Sequence, residues 1–69
     1  MTMKVQSILF DRNLWTQQKA KKWLMNHDYI YPKIDITENF FRFRQKVPDK
    51  NKRYRTINIG RGIEFVLMF

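Results

Sequence analysis

Three cations recur at every second position in the run Phe40-Phe41-Arg42-Phe43-Arg44-Gln45-Lys46. On an extended strand successive side chains point to opposite faces, so Arg42, Arg44 and Lys46 share one side while Phe41 and Phe43 share the other. The apolar side suits a packed helix, and the cationic side suits phosphate oxygens, which arginine and lysine bind through charge-assisted hydrogen bonds. Arg55, on a later strand beside the basic loop of Lys50, Lys52 and Arg53, extends that side if the two strands pair as neighbours. Like charges across strands repel by roughly a few tenths of a kcal/mol each, a cost that a polyanion would relieve. Arg42, Arg44, Lys46, Lys52, Arg53 and Arg55 are therefore the candidate phosphate contacts, to DNA or to RNA. Contacts of this kind position a nucleic acid without reading its sequence. An acidic protein surface fits the same charges, and so does plain solvent, with the arginine stems lying over apolar surface.

Other chemistry is poorly supplied. The chain has no cysteine, which excludes disulfides, thiolate metal sites and cysteine nucleophiles together. Ser7 sits on an expected strand with no base identified for it. Asp11, Asp35, Glu38 and Glu64 are the carboxylates a metal-dependent hydrolase would need to converge. Asp35 and Glu64 begin an Asp…Glu-x-Lys pattern, but residue 66 is Val. No glycine-rich phosphate loop is present, and Gly60-Arg61-Gly62 reads better as a hairpin link. His27, the single histidine, falls on the apolar face of an expected helix near its end, where a structural role is expected, helped by the helix dipole when protonated. No enzyme activity, cofactor or metal is expected.

The charge of the whole chain points the same way as the run. Fourteen Lys and Arg oppose six Asp and Glu, a net charge of +8 in 69 residues. Such a field draws polyanions, although solubility alone also calls for net charge. A chain this short makes one domain, spanning residues 1–69, and buries only roughly 60% of its unfolded surface. Its hydrophobic fraction of 43%, with 16% aromatic, argues against disorder. The absence of cysteine suits a reducing compartment. No apolar run approaches the ~18 residues of a membrane span, and no signal-peptide core precedes the first strand. The expectation is a complete small protein of the cell interior, in host cytoplasm or nucleus, or of a virion, with no membrane partner.

These side chains need a scaffold, and its elements follow from pattern. Lys4–Phe10 alternates as a strand, with Val5, Ser7 and Leu9 expected on one side and Lys4, Gln6, Ile8 and Phe10 on the other. Asp11-Arg12-Asn13 breaks it with turn residues. Thr16 suits a helix N-cap, and Trp15 with Ala20 occupies the hydrophobic-staple positions. Ala20, Trp23, Leu24 and His27 recur at helical spacing and predict a helix over about 16–28. Trp23 belongs to the core, while Trp15 offers either a staple or a platform for a stacked base. Lys19, Lys21 and Lys22 fall largely off the apolar face, more as a solvated surface than as a recognition stripe. Tyr29 and Tyr31 flank a loop, with one of them expected to be exposed. Ile34 and Ile36 alternate in the opposite phase to Phe41 and Phe43, which requires a turn or a bulge at Thr37-Glu38-Asn39. Two strands, about 33–36 and 40–46, are favoured over one bulged strand. After the polar loop 47–53, strands at 54–59 and 63–69 are joined by Gly60-Arg61-Gly62. The fold expected is α+β, one amphipathic helix packed on a mainly antiparallel sheet, in the order β-α-β(β)-β-β. In the last strand Val66 and Met68 are apolar like Ile63, Phe65, Leu67 and Phe69 opposite them. That pattern implies burial on both sides or one side offered to a partner.

The series Val5…Phe10-Asp11, Trp15-Thr16, Ala20, Trp23-Leu24, Asp35…Thr37-Glu38-Asn39, Phe41-Arg42-Phe43-Arg44-Gln45, Tyr54-Arg55-Thr56 and Gly62-Ile63 spans nearly the full chain. It resembles an uncharacterised family of small proteins and domains of tailed phages and large DNA viruses, sometimes attached to head-assembly proteins. The resemblance carries no activity and no site residues, but implies a virion component or packaging accessory. The two functional expectations are thus a small basic nucleic-acid-binding protein of viral type and a non-catalytic virion or protein-interaction module.

Overall fold

Six elements follow one another in a computed structural model that describes residues 3–69: β1 (Lys4–Asp11), α1 (Gln17–Asn26), β2 (Ile34–Ile36), β3 (Phe40–Arg44), β4 (Tyr54–Gly60) and β5 (Ile63–Met68). Met1 and Thr2, with which the expected domain begins, lie outside the described residues. The strands form one sheet in the order β2-β3-β1-β5-β4, with every neighbouring pair antiparallel. This is the α+β arrangement expected, a single helix on an antiparallel sheet.

The helix side of the sheet is built in rows that cross the strands. Ile34, Phe43, Ile8, Phe65 and Ile57 form one row, and Ile36, Phe41, Phe10 and Ile63 the next. Ile8, Phe10, Phe41, Phe43 and Ile63 from these rows join Ala20 and Leu24 of α1 in the buried core. Burying one such large side chain contributes about 1.5–3 kcal/mol, so a chain this small rests on a handful of them. Phe10 sits at the centre, edge-on to Trp15 at 5.0 Å, Phe43 at 5.6 Å and Trp23 at 5.7 Å between ring centroids.

Both ends of α1 are fixed by side chain and backbone. The Thr16 hydroxyl accepts from the Lys19 amide at 3.2 Å, the N-cap bond expected there. Trp15, just before the cap, packs half-buried on Phe10 and donates its indole N–H to the Arg61 carbonyl at 2.7 Å. The helix stops at Asn26, two residues earlier than the spacing suggested, because Asp28 takes a left-handed φ of 62°. The Tyr29 amide then reaches back to the Leu24 carbonyl at 2.9 Å and closes the end.

Two departures from simple alternation shape the open side. The β1–β5 register shifts between Val5 and Ser7, leaving Gln6 as an inserted residue. Val5 therefore joins the core side instead of sharing a face with Ser7 and Leu9. The phase change between β2 and β3 is a turn, not a bulge: the Thr37 amide donates to the Phe40 carbonyl at 2.9 Å, and the Thr37 hydroxyl accepts from the Phe40 amide at 3.0 Å. β3 ends at Arg44, so Gln45 and Lys46 lie past the strand, both donating their amides to the Gln6 carbonyl. The β4–β5 link turns at Arg61 (φ 59°) and Gly62 (φ 75°), the pair of positive φ values that a two-residue hairpin requires.

Candidate nucleic-acid interface

Facing away from the helix, one row crosses the sheet as Asp35, Arg42, Leu9, Glu64 and Asn58, and the next as Arg44, Ser7, Val66 and Thr56. Arg42 and Arg44 do share this open side, as their spacing implied. Two carboxylates share it with them. Arg44 donates to Asp35 at 2.8 Å, an exposed ion pair with the side chains 41% and 51% accessible. The open face is therefore close to balanced in charge.

Arg42 is held along one edge. Its Nε donates to the Ser7 hydroxyl at 3.2 Å and its Nη2 to the Gln6 Oε1 at 3.1 Å. Ser7 donates to the same Gln6 oxygen at 2.7 Å, and the Gln6 amide donates to the Lys46 carbonyl at 2.9 Å. Gln6 is 1% exposed and Ser7 is fully buried, so this network satisfies polar groups that would otherwise be costly inside the protein. Beyond Arg42 lies a shallow groove walled by Lys50, Tyr54, Thr56 and Val66. Tyr54 pins the loop over that groove, its hydroxyl donating to the Asp49 carbonyl at 2.8 Å and accepting from the Asp49 amide at 2.6 Å.

Arg55 does not extend this face. β3 and β4 are separated by β1 and β5, about 14 Å at the usual strand spacing. Arg55 is also opposite Leu67, which is opposite Val5, so it belongs to the helix side of the sheet. The condition under which Arg55 would extend the cationic side, that the two strands pair as neighbours, is not met, because β1 and β5 lie between them. Asp35 and Glu64 likewise sit three strand steps apart in their row, about 14 Å, too far to share a metal ion. Among the described residues no three His, Asp or Glu side chains converge.

Antiparallel pairing brings the charges together in a different place. Lys4 opens β1 opposite Met68 near the end of β5, and Tyr54 opens β4 opposite that same Met68. The Arg53 and Phe69 backbones exchange hydrogen bonds of 2.8 and 2.9 Å just beyond. The Arg44 amide bonds to the Lys33 carbonyl at 3.0 Å, which places the start of β2 beside the end of β3. One end of the sheet therefore carries Lys4, Lys33, Arg44, Lys46, Lys52 and Arg53, with Lys50 in the covering loop. All but the half-buried Arg44 are exposed. Asp35 there is taken by Arg44, and the Asp49 carboxylate accepts from the Asn51 amide at 2.9 Å. A hollow in this end is lined by Lys33, Arg44 and Lys46 together with Ile30, Asp49 and Met68. Lys4, Lys33 and Lys50 were not among the sequence candidates; Lys50 lies in the same basic loop as Lys52 and Arg53, whereas only the strand order shows that Lys4 and Lys33, distant in the chain, finish at the same end.

Gln45 helps to hold the hollow in shape. Its side chain accepts from the Ile30 amide at 2.9 Å and donates to the Ile30 carbonyl at 2.8 Å, clamping the helix-to-β2 connector. His27 is exposed rather than set in the apolar face; its ring stacks on Trp23 at 3.9 Å, and its Nδ1 lies 2.7 Å from the Trp23 carbonyl. Because a carbonyl only accepts, that nitrogen carries the proton. Tyr29 packs on Trp23 and Phe65, and Tyr31 is the exposed one of the two. Arg12 is engaged at the opposite end, donating to the Thr37 carbonyl at 2.7 Å and lying 5.5 Å from the Phe41 ring centroid.

Comparison of the chain with protein-family models, curated proteins and solved structures returns no match. No helix among the described residues is long and apolar enough to cross a membrane.

Proposed function

We propose that this chain is a small non-catalytic nucleic-acid-binding protein that holds phosphates with one end of its sheet. The observation that carries the reading is the gathering of Lys33, Lys46, Lys50, Lys52 and Arg53 at that end, while the Arg44–Asp35 contact is the sole ion pair found among the described residues. Exposed cations without acidic partners release condensed counterions when they meet a phosphate backbone, and this release drives sequence-independent affinity. Of the candidates named from the sequence, Arg44, Lys46, Lys52 and Arg53 belong to the proposed surface. Arg42 supports it from within, and Arg55 lies on the other side of the sheet. The resemblance to small phage and large-DNA-virus proteins favours a virion, or the host interior during assembly, as the setting.

Fluorescence anisotropy with labelled single-stranded and duplex DNA and RNA at low salt tests the proposal. Binding that weakens steeply with added salt is expected. No binding to any of these probes overturns it. A virion or protein-interaction role is the second reading, favoured by the open edge of β4.

A further inference from the structure

β4 lies at one edge of the sheet, and half of its backbone hydrogen-bonding groups face outward. Their identity follows from the neighbouring ladder. Arg53 and Phe69 exchange both backbone hydrogen bonds. In an antiparallel pair such exchanging positions alternate with non-exchanging ones, so Arg55 and Ile57 also bond inward to β5. The N–H and C=O groups of Tyr54, Thr56 and Asn58 then point away from the sheet.

Edge strands are usually defended by proline, lysine, a bulge or brevity. β4 runs for seven residues, Tyr-Arg-Thr-Ile-Asn-Ile-Gly, without proline or lysine, and its register shift comes only at the far end, between Asn58 and Gly60. The opposite edge, β2, has three residues. Tyr54 and Ile59 on β4 are 42% and 46% exposed.

We infer that β4 pairs antiparallel with β4 of a second copy of this chain, about a twofold axis at Thr56. The uninterrupted part of the strand is 54–58, and Thr56 is its midpoint. In that register Thr56 faces its own copy and Tyr54 faces Asn58, so every outward N–H and C=O of these residues finds a partner. Arg55 falls opposite Ile57, so the arginine stem covers this half-buried isoleucine. Shifting the axis to Arg55 sets Arg55 against itself, and shifting it to Tyr54 sets Arg55 against Arg53; like charges directly opposite disfavour both. Shifting it to Ile57 runs each strand into the Asn58–Gly60 irregularity of its partner. Charge favours a second copy in this orientation for another reason. Antiparallel pairing sends the two basic sheet ends to opposite extremes of the dimer, where they repel least. The pairing does not depend on the nucleic-acid reading.

Sedimentation equilibrium on nuclease-treated protein tests the pairing. Edge-to-edge contacts are small and weak, so loading concentrations should reach about 500 µM. The wild-type mass is expected to rise with concentration from that of one chain toward that of two. Thr56→Pro removes one outward N–H and leaves the β4–β5 ladder whole, since proline is tolerated at that side of an edge strand. It is expected to stay at the mass of one chain with an unchanged circular dichroism spectrum. Thr56→Lys, which sets like charges face to face across the axis, gives the same readout should the proline variant fail to fold. A wild type that remains a monomer throughout overturns the inference, as does a folded Thr56 variant that still dimerises.

Discussion

Arg42 Nη2 lies 3.1 Å from the Oε1 of Gln6, an oxygen that also accepts from Ser7 at 2.7 Å. The first arginine of the alternating run is therefore a clamp on its inner edge. Its partner is the inserted residue of the β1 bulge, and the Gln6 carbonyl receives the Gln45 and Lys46 amides just past β3. One irregularity thus organises β1, β3 and the start of the basic loop.

Gln6→Ala leaves the buried Ser7 hydroxyl and the half-buried Arg42 edge short of an acceptor. The expected loss is about 1–3 kcal/mol of folding stability, measured by urea denaturation. A double-mutant cycle with Arg42→Ala should show coupling of roughly 0.5–3 kcal/mol. Additive losses would mean that the contact contributes nothing as a pair.

Asp35→Asn should act on binding rather than on folding. The Arg44–Asp35 pair is exposed, and such pairs contribute about 0–1 kcal/mol, so thermal stability should hardly change. Releasing Arg44 at the basic end should tighten binding to any nucleic acid at low salt. Anisotropy titrations of both proteins with one duplex compare them directly, and weaker binding by the variant would place Arg44 outside the interface.

Gly62→Ala should destabilise more than Gly60→Ala, though both glycines have positive φ, 75° and 91°. A Cβ at Gly62 would stand 2.8 Å from the Leu14 Cδ1 and 3.1 Å from the Asp11 Cβ, whereas one at Gly60 meets nothing within 4 Å. Backbone strain of roughly 1–3 kcal/mol applies to each, and the crowding at Gly62 adds to it. The order of the two melting temperatures checks the claim.

Much of this fold could be read from periodicity. The Phe41/Phe43 and Arg42/Arg44 alternation does split across the sheet, and the opposite phase of Ile34 and Ile36 did mark a turn at Thr37. Thr16 caps its helix as its hydroxyl suggested. What could not be read was strand order. β5 adds to one side of β1 while β3 adds to the other, so Arg55 ends far from Arg42 although Tyr54–Gly60 directly follows the β3 segment in the chain. The bulge was hidden as well. Gln6 breaks the alternation by one residue, and the contacts that stabilise the break come from Arg42 and Lys46, some forty positions away. The basic end was only partly legible: Lys46, Lys52 and Arg53 stood out as a local run, whereas Lys4 and Lys33 reach it through pairing alone.

The most direct test compares two variants of equal net charge across a salt series. Lys52→Ala/Arg53→Ala removes two cations from the basic end, and Lys19→Ala/Lys22→Ala removes two exposed cations from the helix. Deleting a cation that binds a phosphate should lower the slope of log affinity against log salt by about one. The expected result is a slope reduced by about two for the first variant and unchanged for the second. Equal reductions in both would show that the affinity follows overall charge, and would contradict a phosphate-binding surface at this end of the sheet.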